Sequence, residues 1–518
     1  MVEPFSSPAR LPGTVSEPRA VSPAAAGGDH RRVVVIGGGI AGLAAAYRLT
    51  RSTPTVAVTL LEAAPRLGGK IVTERADGFT IEGGPDSFLS IKPRGVGLCA
   101  ELGITNRLRG TTPRPHRAYV ARGDRLHELP EGLTGLVPTR LRPMLGTALL
   151  SPRGKARLIA DSLLPPHPDG GDEALGAFVR RRLGGEVYER LVEPLMAGIY
   201  AGDGDRLSLA ATFPHLRAAE LAHGGLIRGV LAARAAVPAP VAGERIWPPF
   251  VSPARGMAEL VDALAAALVA AGVNVRTGAG VTALRPVGGG YEIVLHSGER
   301  LSTDAVIVAV PAPVAAAVVA DLDPDLAGIL AAIPHASSAI VTLAYAEDEL
   351  PLPLDAHGYV IPRAEGRPVL ACTWTSAKWA GRAPTGVALI RVFVGRFGQD
   401  EMVAAPDADL VALARAELGR TLDVTAVPRL ARVHRWPLGM PQYTLGHPAR
   451  LDAIADRLAG HPALALAGAA YTGVGLPDCI RSGEDAATRV HAGLHPDIAP
   501  SMEARVKSPD RSVASGNV

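Results

Sequence analysis

The stretch RRVVVIGGGIAGLAAAYRLTRSTPTVAVTLLEAAPRLGGK, residues 31–70, decides the fold. Val33, Val34, Val35 and Ile36 form a β-branched run bounded by glycines, the pattern of a strand buried on both faces. Gly37, Gly39 and Gly42 follow as G-x-G-x-x-G, and residues 40–48 continue as an apolar-rich helix. The first glycine permits a tight turn, the second lets a pyrophosphate approach the main chain, and the third lets helix and strand pack closely. Free N–H groups at the helix start add an anion site. A second strand over 56–61 ends at Glu62, twenty residues beyond Gly42, where a carboxylate accepts hydrogen bonds from ribose hydroxyls. Glycine spacing alone is a weak signal. The strand before it, the helix after it and the acid at that distance make a dinucleotide-binding unit.

The rest of the chain bounds what this unit serves. At 518 residues it predicts two to four domains of ~150 residues each. With 47% apolar and 20% charged residues and a net charge of +3, nothing calls for a polyanionic partner, so nucleic acid is set aside. Cys99, Cys372 and Cys479 stand far apart without a C-x-x-C, which fits a reducing cytoplasm rather than a disulfide scaffold or metal ribbon. Residues 1–30 lack the apolar core of a secretory signal and read as a disordered leader, and residues 498–518 as a disordered tail. No apolar run reaches the ~20 residues of a spanning helix. Residues 133–150, apolar with Arg140 and Arg142 interleaved, fit either an internal lid or a peripheral membrane contact.

The organisation that follows is α/β: a Rossmann-type cofactor domain, an antiparallel-sheet substrate domain and an inserted helical domain. The cofactor domain takes residues 31–90, 251–320 and 431–497. The helical insertion takes 91–250 and the substrate sheet 321–430. Leu175, Phe178 and Val179, then Val187, Leu191 and Leu195, recur at helical spacing, with Arg180, Arg181 and Arg182 expected on a solvated face. AIVTLAY, HGYVI, VLACTW and ALIRVFVG are the expected strands of the sheet, and ALALAGAAYTGVGLPDCIRSG a strand, a glycine-rich turn and a helix. The chain offers no convincing Ser-His-Asp constellation, carboxylate pair or metal cluster.

After Glu62, Arg66, Gly68, Gly69 and Lys70 in AAPRLGGK extend the phosphate-facing surface, and this second glycine pair resembles the FAD-binding amine oxidase-like flavoproteins. GGGIAGLAAAYRL, EAAPRLGGKI, EGGPDSFLSIK, LVEPLMAGIYAGD, ACTWTSAKW, MPQYTLGH and GVGLPDCIRSG carry the resemblance further. From Arg31 to about Leu494 the chain resembles the oxygen-dependent protoporphyrinogen/coproporphyrinogen III oxidases of haem synthesis, of the Gram-positive and actinobacterial type.

That resemblance implies FAD. Gly37, Gly38, Gly39, Ile40, Ala41 and Gly42, with Glu62 and Ala63, would hold its phosphates and ribose. Lys70, Gly84, Pro85, Asp86 and Ser87 would approach the ribityl and flavin. Val281 would meet the adenine, Trp436 would pack near the cofactor, and Val474, Gly475 and Leu476 would reach the isoalloxazine end. A helix starting near Leu476 would aim N–H groups at the flavin. Lys92 would bind a substrate propionate, while Cys479 and His447 read as structural. The implied reaction is the six-electron oxidation of coproporphyrinogen III to coproporphyrin III, three dioxygen molecules becoming three hydrogen peroxide. No protein side chain is assigned to that chemistry. Protoporphyrinogen IX is the alternative substrate; a flavin amine oxidase, a carotenoid desaturase or a non-catalytic flavoprotein are more distant readings. The product would pass to a ferrochelatase-type enzyme.

Overall fold

The computed structural model describes residues 31–52, 54–113, 117–134, 136–167, 171–236 and 246–495. The expected leader and tail lie outside them. Arg32–Ile36 is the central strand of a five-stranded, wholly parallel sheet. Across it run, in order, Asn274–Arg276, Ala57–Leu61, Arg32–Ile36, Ala305–Val308 and Leu464–Leu466. Its alternate residues feed two cores. Val33 and Val35 pack with the helices Ile40–Leu49, Ala258–Ala270 and Leu476–Leu494, whereas Val34 and Ile36 pack with Ala312–Val319 and the antiparallel strands Val281–Val287 and Gly290–Leu295. Each fully buried Leu here, Leu43, Leu260 or Leu264, contributes roughly 1.5–3 kcal/mol. The sheet is assembled from three separate stretches of chain. A Cβ on Gly483 would sit 2.1 Å from the Ala41 carbonyl oxygen, so only glycine lets the last helix lie against the first.

A second sheet has seven strands, in the order Leu430–Pro441, His335–Ala346, Val387–Val394, Val369–Trp374, Gly358–Val360, Tyr119–Arg122 and Arg125–Glu128. Its pairs are antiparallel except Gly358–Val360 against Tyr119–Arg122. Three strands come from places where the sequence pointed elsewhere. The hairpin Tyr119–Arg122 and Arg125–Glu128 leaves the segment read as helical to extend the sheet. Leu430–Pro441, read as opening the last cofactor segment, pairs with His335–Ala346. Its prolines and Gly439 look like breakers, yet an edge strand tolerates a missing N–H on its solvent side. Along Val387–Val394, Ala388, Ile390, Val392 and Val394 are buried, most of them against the helix Asp407–Leu422. The opposite alternation turns Leu389 to Ile81 and Phe393 to Ala197. Arg391 shares that second face.

In the insertion, Leu175–Leu183 is followed by a helical run, Gly185–Val187, Tyr188–Val192 and Glu193–Tyr200, whose middle segment is a π-turn. The wider turn precedes Pro194, whose ring nitrogen has no hydrogen to donate. The arginine face is not solvated. Arg182 is fully buried and donates to Asp161 and to the Leu164 and Pro165 carbonyls, and Arg181 bridges Glu173 and Glu220. Only Arg180 faces outward, on Asp205 and over the Tyr188 ring. Their partners come from other segments, so local spacing held no sign of them.

Residues 133–150 divide. Leu136, Val137, Met144, Leu149 and Leu150 enter the insertion's core, while Leu141 and Leu145 stay 45% and 50% exposed.

Candidate active site

The glycine turn is built from main chain. Gly37 has φ +109°, and a Cβ there would lie 2.6 Å from the Ala309 oxygen; one on Gly42 would lie 1.9 Å from the Gly37 oxygen. Gly39, which caps the helix Ile40–Leu49, has nothing within 4 Å of its Cβ position. That open side is where a ligand fits. Ile40 and Ala41 bury their side chains in the core and leave only main chain to the turn.

Glu62 accepts from the Gly38 N–H at 2.6 Å and the Ala64 N–H at 2.8 Å, so its carboxylate braces the turn at the end of its strand. The second glycine turn docks on the first, the Gly68 N–H donating to the Gly38 carbonyl at 2.8 Å. Arg66 is exposed. Its guanidinium donates to the Leu67, Gly69 and Ile71 carbonyls and holds its own turn. Ala63 is exposed, and the Ala279 N–H donates to the Glu62 carbonyl at 2.8 Å, which brings Gly280 and then Val281 alongside.

The loop at residues 83–87 closes from the other side. A Cβ on Gly84 would lie 1.9 Å from the Lys70 carbonyl oxygen, so Lys70 and Gly84 are main-chain neighbours. Burial lowers the pKa of Lys70. Pro85 is half-buried. The Gly84 carbonyl accepts from Arg391. Asp86 pairs with Lys378 at 3.1 Å and Arg391 at 3.5 Å, and accepts from Trp379 Nε1 at 3.2 Å and Ser87 Oγ at 2.7 Å. Burial pushes its carboxyl up, but the two cations and two donors outweigh it and hold it well below the usual carboxylate range. Beside it, buried Glu82 meets Arg382 at 3.0 Å. Trp436 is no bare core aromatic, because its Nε1–H donates to the Gly83 carbonyl at 2.7 Å. Sequence reading missed Lys378, Trp379, Arg382 and Arg391. The quoted ACTWTSAKW contains Lys378 and Trp379 and the quoted ALIRVFVG contains Arg391, but neither carried geometry.

The third cluster is the turn before the helix Leu476–Leu494. Val474, Gly475 and Leu476 are half-buried, and Gly475 caps the helix in extended conformation, leaving first-turn N–H groups for a ligand. Tyr443 Oη donates to the Ala469 carbonyl at 2.5 Å and accepts from the Gly473 N–H at 2.8 Å. His447 stacks on Tyr443 with centroids 4.2 Å apart and bonds the Tyr471 carbonyl through Nε2 at 3.0 Å. Cys479 is buried, its thiol pushed up to about 12 by burial, which suits a structural role.

Lys92 is not free. Its ammonium lies 2.6 Å from the nearly buried Asp478 carboxylate, which ties the helix Pro93–Glu101 to the last helix; Arg94 and Glu484 pair alongside. Aromatic residues of the insertion stand by: Tyr200 and Phe213 with centroids 6.0 Å apart, Phe213 and His215 6.1 Å, and Tyr200 and Tyr443 6.1 Å.

An extended dinucleotide matches these parts. The open position at Gly39, the N-termini of helices Ile40–Leu49 and Leu476–Leu494, and the exposed main chain near Ala63 supply donors where side chains stand back. Among the described residues no group of three His, Cys, Asp or Glu is placed to hold a metal ion.

A family model described as flavin containing amine oxidoreductase matches residues 40–491. The chain is 37% identical to a coproporphyrinogen III oxidase of Bacillus subtilis over 88% of this chain and 97% of that protein. It is 35% identical to one of Propionibacterium freudenreichii, over 97% of each. A crystal structure from Exiguobacterium sp. 255-15, named for a protoporphyrinogen oxidase, superposes with a TM-score of 0.78 at 33% identity, covering 90% of this chain and 99% of its own.

Proposed function

Because the chain belongs to the family of flavin-containing amine oxidoreductases, with FAD as cofactor, we propose that it is an oxidase of coproporphyrinogen III in haem synthesis. The observation that carries this reading is the likeness to the Bacillus subtilis coproporphyrinogen III oxidase, which covers 88% of this chain and 97% of that protein. When bound, the flavin supplies the acceptor for a hydride and passes the electrons on to oxygen. The proposed balance is six electrons per porphyrinogen, three dioxygen molecules reduced to three hydrogen peroxide. The name of the Exiguobacterium structure favours protoporphyrinogen IX as a further substrate.

The chain's own part is to bind and orient. Residues 37–42 offer main-chain N–H groups to the phosphates. Glu62 and Ala63 stand at the ribose and Val281 at the adenine. Lys70 and Gly84 to Ser87 line the middle of the cofactor, with Asp86 and Ser87 acting by fixing the loop, since their side chains are engaged with Lys378, Arg391 and each other. Trp436 holds Gly83 in place. Val474, Gly475 and Leu476 present the helix N-terminus to the isoalloxazine end, where positive potential favours electron-rich forms. Lys92 receives a propionate.

The cytoplasm is the proposed location. Among the described residues no helix is long and apolar enough to cross a membrane. Exposed Leu141 and Leu145, with Arg140 and Arg142 beside them, are the surface we assign to peripheral membrane contact, and a ferrochelatase-type enzyme is the proposed recipient of product.

The test is anaerobic. Coproporphyrinogen III added without oxygen is expected to bleach the yellow absorbance, and air to release fluorescent porphyrin. A yellow protein that fails to bleach with either porphyrinogen would sink the reading. Lys92→Ala is expected to weaken the tetracarboxylate more than the dicarboxylate, and equal losses would remove the anchor.

A further inference from the structure

Resting on the reading that puts residues 474–476 at the isoalloxazine end, we propose that Tyr443, backed by His447, is a positioning residue that sets this end of the site. The argument starts from main chain. Among the described residues, no main-chain hydrogen bond joins any N–H or carbonyl of residues 468–474 to another part of the backbone. A turn without such bonds takes its shape from the side chains that reach it. Ser482 Oγ accepts from the Gly468 N–H at 3.0 Å, and a Cβ on Gly473 would stand 2.6 Å from the Asp478 side chain. Both of those residues belong to the last helix. The middle of the turn is held from outside it.

Tyr443 lies between the strand Leu430–Pro441 and the helix His447–Ala459. Its Oη donates to the Ala469 carbonyl at 2.5 Å and accepts from the Gly473 N–H at 2.8 Å, so one hydroxyl clamps both ends of residues 469–473. His447 stacks on the Tyr443 ring, with centroids 4.2 Å and planes 10° apart, and bonds the Tyr471 carbonyl at 3.0 Å, which places its proton on Nε2. The tyrosine ring is fixed as well. It is buried in the insertion's core, against which Val474 also packs. Its carbonyl accepts from the Ser208 N–H at 2.8 Å, and neighbouring Gln442 donates from Nε2 to the Tyr200 carbonyl at 2.8 Å. The MPQYTLGH stretch therefore joins the insertion to the turn. Without the hydroxyl, Ala469 and Gly473 lose their partner, and the turn that leads into the helix Leu476–Leu494 is free to shift. The positive potential of that helix start, which favours reduced, electron-rich flavin, then weakens.

The test uses flavin-loaded protein, reduced without oxygen in equilibrium with a reference dye and followed by the visible absorbance of both. Tyr443→Phe keeps the ring and its stack on His447 and removes the hydroxyl. Its flavin is expected to be about 10-fold harder to reduce, which is about 30 mV for two electrons. His447→Phe keeps the stack and removes the bond to Tyr471, and a shift of about threefold in the same direction is expected. It carries the test alone if Tyr443→Phe does not fold. Thr303→Val removes a different buried hydroxyl of the cofactor domain, one that donates to the Arg32 carbonyl at 2.8 Å, and is expected to lower the thermal midpoint without moving the dye equilibrium. An unshifted equilibrium in Tyr443→Phe, an unshifted one in His447→Phe where only that variant folds, or an equal shift in Thr303→Val would each overturn the assignment. A wild type that takes up no flavin sinks the cofactor reading itself; a yellow wild type with unshifted variants loses only Tyr443.

Discussion

In the turn at residues 37–42 main chain meets main chain: Gly42 faces the Gly37 carbonyl, Gly68 bonds Gly38, and one carboxylate, Glu62, braces the whole. The loop at residues 83–87 is held instead by buried charge, with Asp86 between Lys378 and Arg391, and Trp436 on Gly83. The first region depends on the absence of side chains and the second on their presence. They should therefore fail differently. The first should fail through steric blockage by a single methyl group, and the second through charges left without partners.

The sharpest break comes from two alanines in the first region. Gly42→Ala places a methyl 1.9 Å from the Gly37 oxygen, and the expected outcome is a destabilised, colourless protein. Gly39→Ala meets nothing within 4 Å, and its φ of −72° suits alanine, so the apoprotein should keep its thermal midpoint while flavin uptake is lost. Unfolding midpoints and flavin titration separate the two. If Gly39→Ala takes up flavin normally, the open side of the turn is not the cofactor's.

In the second region Arg391→Met is expected to cost about 3–5 kcal/mol in a denaturant series, since it strips a buried carboxylate of one cation and leaves the Gly84 carbonyl unbonded. A loss below about 1 kcal/mol would mean that Lys378 alone neutralises Asp86. Acid sharpens the same point. The folded pKa of Asp86 is depressed, so its contribution is fully present above its unfolded value near 3.9 and is lost as pH falls below it toward the lower folded value. Wild type should lose stability steeply below about pH 4, and Asp86→Asn should flatten that slope. Parallel slopes would show that Asp86 is not held low.

How much of this was legible follows the same division. The glycine spacing, Glu62, the parallel strands and the last helix are local patterns, and each lies where its period or spacing put it. Arg391 and Lys378 meet residues 83–87 across about 300 positions of chain, and no period runs that far. The buried state of Arg182 was hidden likewise, because Asp161 lies on a different segment. Leu430–Pro441 was obscured for another reason: proline and glycine speak against a strand, and only the edge position excuses them. Lys92 was noticed, but not that Asp478, 386 residues away, already holds it.

The smallest expected effect tests whether the two regions share any logic. Trp436 lies in the side-chain region yet grips main chain, through the 2.7 Å bond from Nε1 to the Gly83 carbonyl. Trp436→Phe keeps a ring in place and removes that donor, at an expected cost of about 1 kcal/mol. His434 fills the space a Cβ on Gly83 would need, so the loop should stay seated and the yellow colour persist. The flavin affinity should then fall by a few-fold at most. A loss as large as that of Arg391→Met would mean that loop 83–87 is positioned through its backbone, as the glycine turn is, and the contrast between the regions would reduce to one of which atoms supply the donors.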